Sequence, residues 1–295
     1  MYIDLFGSSD RLGGNIVDMI SQILYSVKNG IYIKYNSRES IRVYNSYDQK
    51  YNQSIFVQTL FDIIDKHNST IFNEDFSEYL DLASPTHFET LSRSTLSLKS
   101  DLISEFKKIF TDDLRESFNN RAKKDNYTIP FDKDETILVH LRLEDVKNRP
   151  DYDGNLCANY FSEKINKDEI TNSTTNEEVQ RINPNCNMQS PIPLERINSI
   201  INSIKEKNPN KEVIFITSPG ESLDNIPYRI LSSEEESYDL FLLCNAKNLI
   251  LSRSNYALVS LFFGIGEEVH VPLWGHLPCY GLYTKYDRNN FNYFS

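Results

Sequence analysis

The chain has no basic excess. Its 295 residues carry 31 Lys and Arg against 42 Asp and Glu, a net charge of −11. A nucleic-acid protein needs cationic surface to neutralise phosphates, so this balance argues against that class. It leaves room for a small anionic ligand, because one arginine in a cleft outweighs distant surface charge screened by salt. No stretch approaches the roughly 18 apolar residues of a membrane span. The opening MYIDLFGSSDRLGG lacks the basic and apolar regions of a signal peptide. Cys157, Cys186, Cys244 and Cys279 show no CxxC spacing. That argues against a zinc site or a disulfide framework and for free thiols in a reducing compartment. Neither a GxGxxG fingerprint nor a P-loop occurs, and there is no internal repeat or low-complexity linker. These absences predict a cytoplasmic protein without a membrane span.

What is present suits a folded α/β chain. Tyrosine and phenylalanine are plentiful, at 18 and 17, and the length accommodates two domains of ordinary size. YIDLF reads as a strand, GSSDRLGGN as a glycine-rich turn, NIVDMISQILYSVKNG as a helix and IYIKY as a second strand. Helical patterns follow in SIFVQTLFDIIDKH, in FSEYLDL and in one long run, LKSDLISEFKKIFTDDLRESFNNRAKK. A polar stretch near residue 130 divides a helix-rich α/β domain, 1–130, from a second domain, 131–295. The second domain alternates strand and helix: TILVHLRL, PIPLERINSIINSIKEKNPNK, EVIFITS, YRIL, SYDLFLLCNAK, NLILS, SNYALVSLFFG and EVHVPL as a final strand. Residues 147–190 form a long polar loop. This rhythm predicts parallel sheets with helices on both faces, and ligands at the carboxyl ends of the strands.

Candidate residues gather at those ends. His140 and Arg142 lie two apart in ILVHLRLEDV and so share one face of a strand. Arginine suits a phosphate because its planar fork stays charged. Arg142 could equally pair with Glu144 or Asp145. Gly13, Gly14 and Asn15 could bring backbone close to a ligand or simply form a tight βα turn. Thr217 begins the turn after EVIFI. Asp239 sits near a helix start, where an acid is also favoured by the dipole. Ser252, Ser254 and Asn255 lie between a strand and a helix, where they could cradle an anion or cap the first turn. Asp151-Tyr152-Asp153 is a DxD triplet in a polar loop rather than at a strand end. His270 and His276 flank Trp274 without a third metal ligand, so no metal is expected.

Taken in order, RLGGN, VHLRLEDV and SYDLFLLCNAKNLILSRSNYALVSLFFG resemble the fucosyltransferases of the GT-B fold, the group holding the α-1,2-, α-1,6- and protein O-fucosyltransferases. The resemblance implies two Rossmann-like domains with parallel sheets facing a central cleft. It also implies metal-independent, inverting transfer of L-fucose from GDP-fucose to a glycan hydroxyl, with no other cofactor. On it, Arg142 holds the donor's β-phosphate, His140 contacts the nucleotide, and Asp239 reads guanine. Ser254 and Asn255 lie near the pyrophosphate, and Gly13, Gly14 and Asn15 close over the donor. Apart from the resemblance, Thr217 at its strand end is a phosphate or sugar contact or an ordinary turn residue, and Asp145 and Glu144 are candidate bases by proximity to Arg142 alone. Leu143 stands where the family's HxRRxD motif has a second arginine. The absence of a Golgi-type anchor points to a bacterial or viral setting. The alternatives are a non-catalytic binder of nucleotide sugars or glycans, and a transferase using a UDP- or dTDP-sugar.

Overall fold

The computed structural model describes residues 2–7, 11–39, 42–43, 49–71, 102–143, 146, 191–221, 226–272 and 291–294. The chain divides into two compact units, Met1–Thr128 and Ile129–Ser295. The architecture is mixed α/β with parallel sheets.

In the first unit, β1 (Tyr2–Asp4) pairs in parallel with β3 (Tyr32–Lys34), and β2 (Phe6–Gly7) pairs with β4 (Arg42–Val43). YIDLF is therefore two short strands rather than one. Helix α1 runs Leu12–Asn29, so Gly13, Gly14 and Asn15 occupy its buried first turn rather than a loop. The side chain of Asn15 donates to the Arg11 carbonyl at 3.1 Å. Helix α2 spans Ile55–Ile71, and its Asn68 side chain answers both the N–H (3.0 Å) and the carbonyl (2.8 Å) of Ile33. A buried asparagine thus stands in for a neighbouring strand at β3.

The long run predicted over 98–124 is two helices, α3 (Leu102–Ile109) and α4 (Asp112–Lys124). Thr111 is extended at the break, and Asp112 and Asp113 open the first turn of α4, where acids favour the dipole. The break turns Phe110 back to stack on Phe106 at 5.5 Å and meet Phe118 edge-on at 6.3 Å. Aromatic packing wins over helical periodicity there. The segment FSEYLDL lies outside the described residues.

The second unit carries six parallel strands: β5 (Thr136–His140), β6 (Glu212–Ile216), β7 (Arg229–Leu231), β8 (Asn248–Ile250), β9 (Glu268–Pro272) and β10 (Phe291–Phe294). Their spatial order is β10-β9-β8-β5-β6-β7. Numbered within the unit this is 3-2-1-4-5-6, the order of a doubly wound nucleotide-binding sheet. EVHVPL is not the final strand, since β10 pairs in parallel outside it.

Helix α5 (Leu194–Lys207) buries Ile197, Ile201 and Ile204 against Ile137, Val139, Val213 and Phe215. Such burial contributes roughly 1.5–3 kcal/mol per large apolar side chain. Helices α6 (Glu236–Cys244) and α7 (Asn255–Phe263) pack on each other. The chain steps from β5 to β6 in one direction and from β8 to β9 in the other. Right-handed crossovers then put α5 and α7 on opposite faces. Gly264 caps α7, and the position suits glycine because a Cβ there would collide with the Ser260 carbonyl oxygen.

Candidate functional site

In a 3-2-1-4-5-6 sheet the crevice opens at the carboxyl ends of the two central strands, where the winding reverses. Here those strands are β5 and β8. His140 ends β5, and Ser252 follows β8 by two residues. His140 Nδ1 and Ser252 Oγ are 2.6 Å apart, joining positions 112 residues apart in sequence. The imidazole also lies 5.4 Å, centroid to centroid, from the ring of Tyr256 on α7. His140 therefore faces α7, while its neighbours in the strand, Val139 and Leu141, sit in the α5 core.

That alternation runs on past the strand. Leu141 N–H donates to the Ile216 carbonyl at 2.8 Å, extending the ladder with β6 by one residue. Leu143 packs against the same α5-side core as Leu141. Arg142 is half-buried and falls on the His140 side of the chain. Position 143 is thus apolar because it faces the core. Asp145, Glu144, the Asp151–Asp153 triplet, Trp274 and His276 lie outside the described residues, as do Cys157, Cys186 and Cys279.

The next strand ends supply the remaining side chains. Thr217 follows β6, is buried, and its Oγ1 has no hydrogen bond among the described residues. Asp239, in the first turn of α6, is 6% exposed. Its Oδ2 accepts from Ser233 N–H at 3.1 Å, while Oδ1 has no partner among the described residues. Burial pushes this carboxyl up to about 7, the nearby charge of Glu235 adds to the rise, and the Ser233 N–H opposes it. Ser237 Oγ and Asn255 Oδ1 are likewise buried and without a partner among the described residues. A carboxylate or hydroxyl left so in a native fold calls for a ligand or a compensating group.

Ser254 is the N-cap of α7, its Oγ accepting from Tyr256 N–H at 3.2 Å. The capping reading therefore holds, and Asn255 starts the helix. Tyr256 ties the site together, since its hydroxyl donates to the Glu236 carbonyl at the start of α6. Burial, with the charges of Asp239 and Glu236 behind it, holds that phenol well above its ordinary range. Tyr256 had no mark in the sequence beyond its place in the first turn of a helix. Arg253 was also passed over, although at 1% exposure it is fully buried between Ser252 and the cap of α7. Its signal was an arginine at a strand's carboxyl end directly before an N-cap serine.

Gly13, Gly14 and Asn15 belong to the first unit and are helical there. That unit's shallow depression, lined by Asp113, Glu116, Ser117, Asn120, Arg121 and Lys124, gathers polar and charged side chains of α4 alone. Among the described residues no cluster of three or more His, Cys, Asp or Glu is placed to hold a metal ion. Nor is any described helix long and apolar enough to cross a membrane. Comparison of the chain with models of known families, with curated proteins and with solved structures found no match.

Proposed function

We propose that the chain is a glycosyltransferase that moves a sugar, L-fucose on the resemblance drawn from its motifs, from a GDP-sugar to a glycan hydroxyl. The observation that carries this reading is Asp239, a buried carboxylate in the first turn of α6, the helix start that Tyr256 ties to α7, whose Oδ1 lacks a partner among the described residues. Guanine presents N1–H and N2–H side by side, and a carboxylate accepts both; uracil and thymine offer no such pair. The sheet order, the His140–Ser252 pair and the N-terminus of α7 support a nucleotide at the same end of the sheet. In this reading the two units correspond to the two domains of a GT-B enzyme, with the acceptor bound through the first.

The chemistry follows from charge. As the glycosidic C–O bond breaks, negative charge builds on the departing diphosphate. Arg142 and the N–H groups opening α7 stabilise that charge more in the transition state than in the ground state. His140 holds a phosphate oxygen, Thr217 and Asn255 line the pyrophosphate, and Asp145 takes the acceptor proton as the new bond forms on the opposite face of the sugar.

The test is release of GDP from GDP-fucose across a panel of glycan acceptors, wild type against Arg142→Ala. Acceptor-dependent release that the variant loses is the expected result. Near wild-type transfer by the variant would contradict the mechanism, and saturable binding without turnover would favour a non-catalytic binder.

A further inference from the structure

The crevice at the sheet's reversal point has a second flank, on the face that α5 covers. From Lys207 the chain turns through Asn208 and Lys211 straight into β6, and Lys207 Nζ lies 3.9 Å from Glu268 at the start of β9. The C-terminus of α5 is thus at the amino end of the sheet, and its N-terminus is at the carboxyl end. There Leu194 and Ile197 pack with Leu141, Leu143 and Ile250, at the ends of β5 and β8.

Two polar side chains lie unanswered at this flank. Arg196 is in the first turn of α5, and its Nη1 is buried without a hydrogen bond among the described residues. No ion pair joins it to an acid among those residues, Glu195 of the same turn included. A cation there also opposes the helix dipole, whose positive end lies at the N-terminus. Thr217 is an independent case: it is 3% exposed, and its Oγ1 has no partner among the described residues. Thr217 N–H donates to the Leu231 carbonyl at 3.3 Å, which carries the ladder with β7 one residue past β6. The alternation therefore holds, and Thr217 shares the α5 face with Val213 and Phe215.

No side chain caps α5, so its first N–H groups add further donors. A guanidinium fork, first-turn N–H groups and a hydroxyl together match an oxyanion, and phosphate in particular, which arginine binds through two parallel bonds. We infer that the α5 flank is a phosphate subsite, in which Arg196, Thr217 and the first turn of α5 hold a diphosphate that Arg142 and α7 approach from the other face. Two cations then share the charge of one diphosphate. That the diphosphate belongs to a guanine-nucleotide donor rests on the reading above; the oxyanion site does not.

Calorimetry of the whole chain with inorganic pyrophosphate, at fixed ionic strength, tests this directly. Arg196→Met keeps the apolar stem, removes the charge and should weaken pyrophosphate by about 10- to 100-fold. Arg196→Lys should recover part of that loss, and Thr217→Val should weaken pyrophosphate by about fivefold. Thermal unfolding without ligand is the control for folding. Because the guanidinium is unanswered and opposes the dipole, Arg196→Met should unfold at the wild-type temperature or above it. Unchanged pyrophosphate affinity overturns the proposal, and so does a variant that unfolds well below wild type, which would make Arg196 a structural residue.

GDP and guanosine separate the two claims. Arg196→Met should weaken GDP as it weakens pyrophosphate and leave guanosine unchanged. GDP bound equally by variant and wild type overturns the subsite while the nucleotide reading stands. A wild type that binds pyrophosphate through Arg196 yet favours UDP over GDP supports the subsite and defeats the guanine reading. One that binds no diphosphate overturns both.

Discussion

The two ends of the second unit's sheet treat polar groups in opposite ways. At the amino end they are answered within the protein. Lys247 bridges Asp134 at 2.7 Å and Glu267 at 2.8 Å, Lys133 reaches Asn245 at 3.0 Å, and Asn248 donates to the Thr136 carbonyl at 3.2 Å. The Thr136 hydroxyl and His270 Nε2 stand out there, buried and without a hydrogen bond among the described residues, although His270 Nε2 lies 3.5 Å from Glu268. At the carboxyl end, Thr217, Ser237, Asp239 and Asn255 each keep a buried oxygen without a described partner. One fold and one set of strands serve both ends, so the difference lies in what each end is for. On the function proposed above, the amino end closes the structure and the carboxyl end keeps polar capacity for a ligand.

Substitutions at the carboxyl end should therefore change function and those at the amino end should not. Arg142→Ala carries the largest expected effect, a fall in transfer of about 100- to 1,000-fold, comparable to removing one donor that stabilises developing charge. Steady-state rates with GDP-fucose would measure it.

Asp239→Asn comes next and separates stability from binding. The carboxyl titrates near 3.9 in an unfolded chain and at about 7 in the fold, so the folded state keeps a proton that the unfolded state has lost. The resulting stabilisation is complete below about pH 4 and is lost as pH rises through 7, at most about 4 kcal/mol in all. Asn in its place should flatten the pH–stability profile and raise the unfolding midpoint at pH 8, while weakening GDP-fucose by about 10- to 100-fold. In the wild type, GDP-fucose affinity should tighten as pH rises through about 7, because only the ionised carboxylate accepts both guanine donors.

Tyr256→Phe keeps the ring beside His140 and removes the tether to Glu236, so it should cost about 1 kcal/mol of stability in denaturant titration. Lys247→Met is the smallest case. It breaks two exposed ion pairs at the amino end and should leave GDP affinity unchanged by calorimetry.

The alternation of the second unit was legible because its strands are short apolar runs and its helices carry clear boundaries, a start at Pro193 and a stop at Gly264. The sheet order was not, because it depends on pairings such as β5 with β8, far apart in sequence. Local rules also missed β10, a four-residue edge strand, and the break before Thr111, which Phe110 imposes by packing on Phe106 and Phe118. Gly13 and Gly14 suggested a loop through their conformational freedom, yet a helix accepts glycine in its first turn when tertiary packing buries it. At the site, His140, Asp239 and Ser254 stood out as chemistry-bearing residues at element ends. The bond from His140 to Ser252 and the tether through Tyr256 did not, because both are made by tertiary proximity alone.

The claim that the carboxyl end of this sheet receives a guanine nucleotide is tested most directly by thermal unfolding of the whole chain with GDP, UDP and dTDP, without added metal. A ligand at a hundred times its dissociation constant stabilises the fold by about 2.7 kcal/mol, enough to move the midpoint by some degrees. The account predicts a rise with GDP and none with UDP or dTDP. A rise with UDP or dTDP instead, or with none of the three, would contradict it.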